Sequence, residues 1–189
     1  MDILQKIKEE TKTNHQNVEK VLVNELKKLS SLDDYANLLE RLYTFYAPIE
    51  DTLQQKIDAS VIPDMNMRQH MTNLRKDIEA VRKNAVSTNN TISPVHIENT
   101  SYALGVLYVI EGSTLGGQII TQMLDKHLSV STIKANNYFN SYGSETPKMW
   151  SKFKEYISKS NSDIDQELMI QGAKDTFKSL QNHLVATKS

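Results

Sequence analysis

Two short stretches of this chain carry residues whose types and spacing suit chemistry. In the first, His15 is followed four residues later by Glu19, the spacing that sets two side chains one turn apart on the same helix face. Helical side chains lean back toward the N-terminus, so the Glu19 carboxylate is placed to accept a hydrogen bond from one imidazole nitrogen. Such a bond fixes the tautomer, orients the ring and leaves the other nitrogen free to ligate a metal. A His–Glu pair that only packs is the commoner use of these residues, and the pair alone leaves both readings open.

The second stretch is marked by glycine. The chain has only 6 glycines, and Gly105, Gly112, Gly116 and Gly117 fall within 13 residues of one another. Four glycines inside helical sequence forgo roughly 3 to 4 kcal/mol of intrinsic propensity, so something must gain from the missing side chains. Close helix–helix packing accounts for one or two such residues. Gly112 and Gly116 lie four apart on one face with Ser113 and Thr114 beside them. That pattern suits a kinked helix that lays backbone bare against a flat ligand while the hydroxyls hold ordered water.

The elements that must position these residues read as helical nearly throughout. Asp2 is placed to cap a first helix whose apolar face runs through Ile7, Thr11, His15, Val18 and Leu22, which puts His15 on the buried side. A second helix starts near Ser31 or Asp33 and runs through Tyr35, Leu38, Leu42, Tyr46 and Ile49 to Leu53, bent at Pro48. A third follows Pro63-Asp64 with Met67, Met71, Leu74, Ile78 and Val81 on one face. After a polar loop at Ser87–Ser93, Ser93 caps a further helix with Pro94 at its first position. That helix continues past the glycines to Leu128. From Thr100 to Leu124 its only charged residue is Glu111, so both its sides must be covered by protein or ligand. It is too interrupted and too short to read as a membrane span. A loop follows at Asn136–Ser144, then one helix around Trp150, Phe153 and Ile157 and another from Ile164 to Val185. The expectation is an all-α irregular bundle of about six or seven helices, one domain over residues 1–189, with His70, His96, His127 and His183 at the surface.

Composition removes several function classes. With 22 Lys+Arg against 23 Asp+Glu and a net charge of -1, there is no basic field to hold nucleic acid or an anionic membrane. The absence of cysteine excludes disulfides, zinc–thiolate and iron–sulfur sites and a cysteine nucleophile. No histidine has a glutamate three residues before it, there is no His-Glu-x-x-His, and no glycine-rich phosphate loop is present. The N-terminus becomes charged too soon for a signal peptide, and the expected location is the cytoplasm.

Taken together, Thr11-Lys12-Thr13-Asn14-His15-Gln16-Asn17-Val18-Glu19 and Leu107-Tyr108-Val109-Ile110-Glu111-Gly112-Ser113-Thr114-Leu115-Gly116-Gly117-Gln118 resemble the heme oxygenase family, most closely its bacterial biliverdin-producing branch, which includes enzymes serving bacteriophytochromes. Further similarity lies in Tyr142-Gly143, in Trp150-Ser151-Lys152-Phe153 and in Gly172-Ala173-Lys174-Asp175-Thr176-Phe177.

The resemblance implies a heme sandwiched between a proximal helix and a kinked distal helix. His15 is then the axial iron ligand and Glu19 its hydrogen-bonding partner, while Gly112 to Gly117 form the distal wall, with Ser113 and Thr114 organising water. Lys8 and Lys12 match basic residues ahead of the family's proximal histidine. Tyr108 matches a propionate-contacting tyrosine of bacterial relatives, and Lys154 is a further candidate for a propionate. The implied reaction consumes O2 and electrons and converts heme, both cofactor and substrate, to biliverdin, carbon monoxide and ferrous iron. A ferredoxin, flavodoxin or reductase would supply the electrons, and a biliverdin-using photoreceptor would take the product. One departure stands out: many members carry an aspartate just after the first glycine of the distal motif, where this chain has Ser113. A non-catalytic heme-binding or storage protein of the same fold, and a helical interaction module, are the rival readings.

Overall fold

The chain begins as two helices where one was expected. In the computed structural model, which describes residues 2–82 and 92–186, α1 (Ile3–Glu10) stops at Thr11 and α2 (Lys12–Lys28) restarts beyond it. The buried Thr11 hydroxyl and N–H both donate to the Ile7 carbonyl, at 2.6 and 3.0 Å, and the Thr11 backbone leaves helical values at φ -103°, ψ 0°. Beyond it, Val18 and Leu26 of α2 face the core while His15 and Glu19 are exposed, so His15 does not lie on the buried side that its spacing predicted.

Helix α3 (Leu32–Lys56) starts at a reciprocal cap. The Ser31 hydroxyl accepts from the Asp34 N–H at 3.1 Å, and the Asp34 carboxylate accepts from the N–H groups of Ser30 and Ser31, each at 3.0 Å. The helix passes through the buried Pro48 without interruption. A 3-10 turn at Met65–Met67 follows, and α4 (Met71–Arg82) begins only after it, capped by Glu50, which accepts from the backbone of His70 and Met71 at 2.6 and 3.2 Å. Because the chain turns between them, Met71, Leu74 and Ile78 reach the core, whereas Met67 is 62% exposed and does not share their face.

Helix α5 (Thr100–Ser113) is capped by Asn99, whose side chain accepts from the Tyr102 N–H at 2.9 Å, and not by Ser93 with Pro94. Ser93 instead bonds the Val95 carbonyl, and Val95 and Ile97 enter the core from a non-helical segment. Residues 87–91 of the expected polar loop lie outside the described residues. A 3-10 turn at Thr114–Gly116 separates α5 from α6 (Gly117–Asp125), giving the kink that the glycines predicted. The Asn136–Ser144 stretch contains one helical turn, α7 (Asn137–Asn140), docked on the fully buried Asp77, which accepts from the N–H groups of Asn137 and Tyr138 at 2.9 and 2.7 Å. Helices α8 (Thr146–Lys159) and α9 (Gln166–Ala186) complete the bundle, and among the described residues no strand occurs.

Helix α9 packs against α1, α2, α3 and α5 and forms the centre of the bundle. Its crossing with α5 brings backbone to backbone. A Cβ on Gly105 would lie 1.8 Å from the Met169 carbonyl oxygen, and one on Gly172 would lie 2.3 Å from that of Tyr102. Gly117 makes the same kind of approach to α7, with 1.7 Å to the Phe139 oxygen. The Thr100–Asp125 stretch is long and apolar enough for a membrane span by composition alone, but half of its most apolar window is buried inside this bundle.

Two outcomes follow from these contacts. Gly105→Ala and Gly117→Ala each force backbone apart and should lower stability by about 1–3 kcal/mol or more. Gly116→Ala, whose Cβ would meet nothing within 4 Å, should be neutral or slightly stabilising, as read by urea midpoints. The hydrogen bonds from Ser30 and Ser31 hold the Asp34 carboxyl below its ordinary pKa. The stability it contributes is therefore present above the ordinary aspartate range and lost as pH falls through the lowered value. Asp34→Ala should weaken the protein at neutral pH and flatten the acid limb of its stability profile.

Candidate functional site

Helix α9 is the floor of the site. Helices α2 and α5 both pack on it, and α2 also touches α6. From α2 the exposed His15 sets its imidazole edge-on to Phe177 of α9, with ring centroids 5.7 Å apart and planes at 70°. Glu19 is exposed one turn on, and among the described residues no hydrogen bond joins the two. The ring is therefore steadied by Phe177 and presented outward.

On the other wall the glycines divide into two kinds. Gly105 and Gly117 are consumed by packing, so Gly117 is a structural glycine and not part of the exposed wall. Gly112 and Gly116 are half-buried and open: a Cβ on Gly112 would meet only the Trp150 ring edge at 3.7 Å, and one on Gly116 nothing at all within 4 Å. Beside them Leu115 and Ile119 are 47% and 64% exposed. The Ser113 hydroxyl donates to the Ile110 carbonyl and the Thr114 hydroxyl to that of Glu111, both at 2.6 Å. Both protons thus serve the kink itself. Ser113 keeps its oxygen at the surface, while Thr114 is buried and does not line the open face.

One rim is aromatic and basic. Tyr108 packs on Trp150 at 5.5 Å, Trp150 stacks on Phe153 at 5.6 Å, and the Lys154 ammonium lies 5.9 Å from the Trp150 ring. Burial raises the pKa of the Tyr108 hydroxyl and keeps it protonated. Lys8 on α1 and Lys12 at the start of α2 are exposed, and α1 packs against α8, which carries Lys154. Among the described residues none of these three lysines is held in an ion pair. His15 thus offers an exposed nitrogen donor, Gly112 and Gly116 leave backbone open, and Lys8, Lys12 and Lys154 are cations outside any ion pair among the described residues.

The family model described as heme oxygenase matches residues 1–186. The chain belongs to the heme oxygenase family. It is 29% identical over 125 residues to a heme oxygenase of Xanthomonas campestris pv. campestris (strain 8004), across 66% of this chain and 72% of that relative. The family implies heme as the substrate and cofactor of an oxidoreductase that also needs O2 and a reductase partner.

For a heme oxygenase chain, one feature of the wall was not foreseen from sequence. Behind the kink, Glu111 is fully buried and its carboxylate is shared by three groups. Arg68 forms an ion pair with it, His70 Nε2 lies 2.9 Å away, and the Tyr142 hydroxyl donates at 2.9 Å. Arg68 also forks onto Asp64 at 2.7 and 3.2 Å and donates to the Met149 carbonyl at 3.2 Å. Burial alone would lower the Arg68 pKa, but the bonds to Asp64 and the charges of Glu111 and Asp64 outweigh it and leave the pKa raised. Burial and the Glu111 charge likewise push the Tyr142 hydroxyl up.

His70 is thus a core residue and not a surface one. His183 is also half-buried, with Nε2 2.9 Å from the Arg41 carbonyl, whereas His96 and His127 are exposed. The signal available in sequence was Glu111 itself, since a single charge in an otherwise uncharged helix requires a buried cation. Arg68→Leu leaves Glu111 and Asp64 without their cation and should cost about 3–5 kcal/mol, measurable by chemical denaturation.

Proposed function

We propose that the protein is a heme oxygenase that cleaves heme to biliverdin, carbon monoxide and ferrous iron. What supports this reading, beside the family, is that an exposed imidazole, His15 of α2, and the open Gly112 of α5, with Gly116 in the turn that follows, stand on helices that both pack on α9. His15 offers a nitrogen donor to iron, and Phe177 restricts the ring to an edge-on orientation. Glu19 lies one turn away to take the remaining imidazole N–H, which would fix the tautomer and strengthen the donor.

Heme, when bound, supplies the iron that activates O2 and the meso carbon that is oxidised. The chain's own residues do the positioning. Gly112 and Gly116 admit the ligand up to the backbone, so that the wall limits the directions open to anything held above the iron. Ser113, its proton already given to Ile110, keeps an acceptor oxygen that would orient water on the heme side. Among the described residues none of the other histidines is on α5, the turn or α6, and protons would then arrive through water. Tyr108, Lys8, Lys12 and Lys154 would take the anionic edge, the lysines as point charges and the tyrosine as a hydrogen-bond donor.

The reading extends to a cytoplasmic enzyme of the biliverdin-producing bacterial branch, with a ferredoxin, flavodoxin or reductase as electron donor and a bacteriophytochrome-type photoreceptor as user of the product. The test begins with hemin titration of the purified protein, where a one-to-one complex with a histidine-ligated Soret band is expected. His15→Ala should lose that band, and Gly116→Leu, which fills open space without touching the fold, should weaken binding while unfolding at the wild-type midpoint. Reductant and O2 should then yield biliverdin. A protein that fails to bind hemin stoichiometrically overturns the reading, and one that binds it without turnover is a heme-binding protein instead.

A further inference from the structure

The Glu111 cluster lies outside the ligand-facing surface and has no part in the chemistry assigned above, yet it is joined to the distal turn through a single residue. The Glu111 side chain points into the cluster, where Arg68, His70 and Tyr142 hold both of its oxygens. Its own carbonyl accepts both the hydroxyl and the N–H of Thr114, the residue that opens the 3-10 turn. Gly112 follows directly in the chain. Glycine has the least backbone constraint of any residue, and a turn bounded by Gly112, Gly116 and Gly117 has little intrinsic stiffness.

We propose that Glu111 is a positioning residue for the distal turn, clamped by Arg68, His70 and Tyr142 so that the backbone of residues 112–116 is held in one place relative to the bundle. The clamp draws on four separate parts of the chain. Arg68 and His70 come from the segment before α4, Glu111 from α5, Tyr142 from the turn after α7, and the Met149 carbonyl from α8. His70 is itself fixed through its backbone N–H to Glu50 of α3, and the Arg68 guanidinium lies 5.7 Å from the Phe153 ring, which stacks on the Trp150 that touches Gly112. The same cluster therefore supports the turn from its carbonyl side and from the side of its aromatic neighbour. What the turn is held against rests on the heme reading; that it is held does not.

Glu111→Gln keeps the shape of the side chain but replaces an acceptor oxygen by an N–H2 group facing donors. Tyr142→Phe removes one donor from a half-exposed residue. By hydrogen–deuterium exchange of the ligand-free protein, Glu111→Gln should speed exchange of the amides of residues 112–117 by about tenfold or more while α9 keeps wild-type protection, with Tyr142→Phe showing a smaller rise at the same amides. In the hemin complex, Glu111→Gln should keep the His15-ligated Soret band but move the midpoint of the ferric acid–alkaline transition by about half a pH unit or more, because the turn orders water on that face. A purely structural role would instead lower the unfolding midpoint and leave the turn's relative exchange and the transition unmoved. Wild-type exchange at residues 112–117 in both variants overturns the proposal. If Glu111→Gln does not fold, Tyr142→Phe decides by the same readouts. If the wild-type protein binds no hemin, the proposed function fails while the exchange comparison still decides the clamp.

Discussion

A carboxylate at the centre of an apolar helix sets the terms for the rest of this structure. Glu111 is the only charge between Thr100 and Leu124 and is fully removed from water, a placement that costs several kcal/mol unless a partner cation comes with it. Arg68 meets that need but brings its own desolvation, which Asp64 and the Met149 carbonyl offset. The partners come from four parts of the chain, so the cluster forms only when α5, α8, the segment before α4 and the turn after α7 are all in place. The interaction contributes little net stability relative to an apolar core. Its larger effect is to penalise any other arrangement of those elements.

Close backbone approach is the second constraint, and it acts at both ends of the same helical unit. Gly105 meets α9 and Gly117 meets α7 at separations where no Cβ fits, which fixes α5 to the floor and α6 to the far side. Between those two points lie Gly112 and Gly116, whose missing side chains are opposed by nothing or by a ring edge. The glycine cluster therefore serves two purposes. Packing glycines hold the ends of a segment, and open glycines expose its middle.

The amphipathic periods, the kink at the glycines and the all-helical class were legible in the sequence because each depends on local spacing. Other features were not, because tertiary contacts decide them. Thr11 looks like any polar residue on an apolar stripe, yet its backbone leaves helical values between α1 and α2, and His15 beyond it is exposed. Ser93-Pro94 has the form of a helix start, but Val95 and Ile97 gain more by entering the core in non-helical backbone, and Asn99 takes over the cap. His70 has polar neighbours in sequence and becomes buried because Glu111, 41 positions away, needs a donor there. Gly117 and Gly112 are indistinguishable by composition and differ only in what α7 and α8 place against them.

The distribution of charge around the site follows from the same economy of partners. Arg68 is fully consumed by Asp64 and Glu111, so the wall behind the turn carries no free cation to compete for an anionic ligand edge. On the near side, Lys6 is taken by Glu167 at 2.5 Å and Lys174 by Glu10 at 2.7 Å, which removes two acidic groups from competition for Lys8 and Lys12. Among the described residues Lys8 on α1, Lys12 on α2 and Lys154 on α8 are in no ion pair, and α1 packs against both α2 and α8. Surface lysines of this kind add little to stability. Under the proposed function their value is positional, since they offer cations to the anionic groups of a bound ligand.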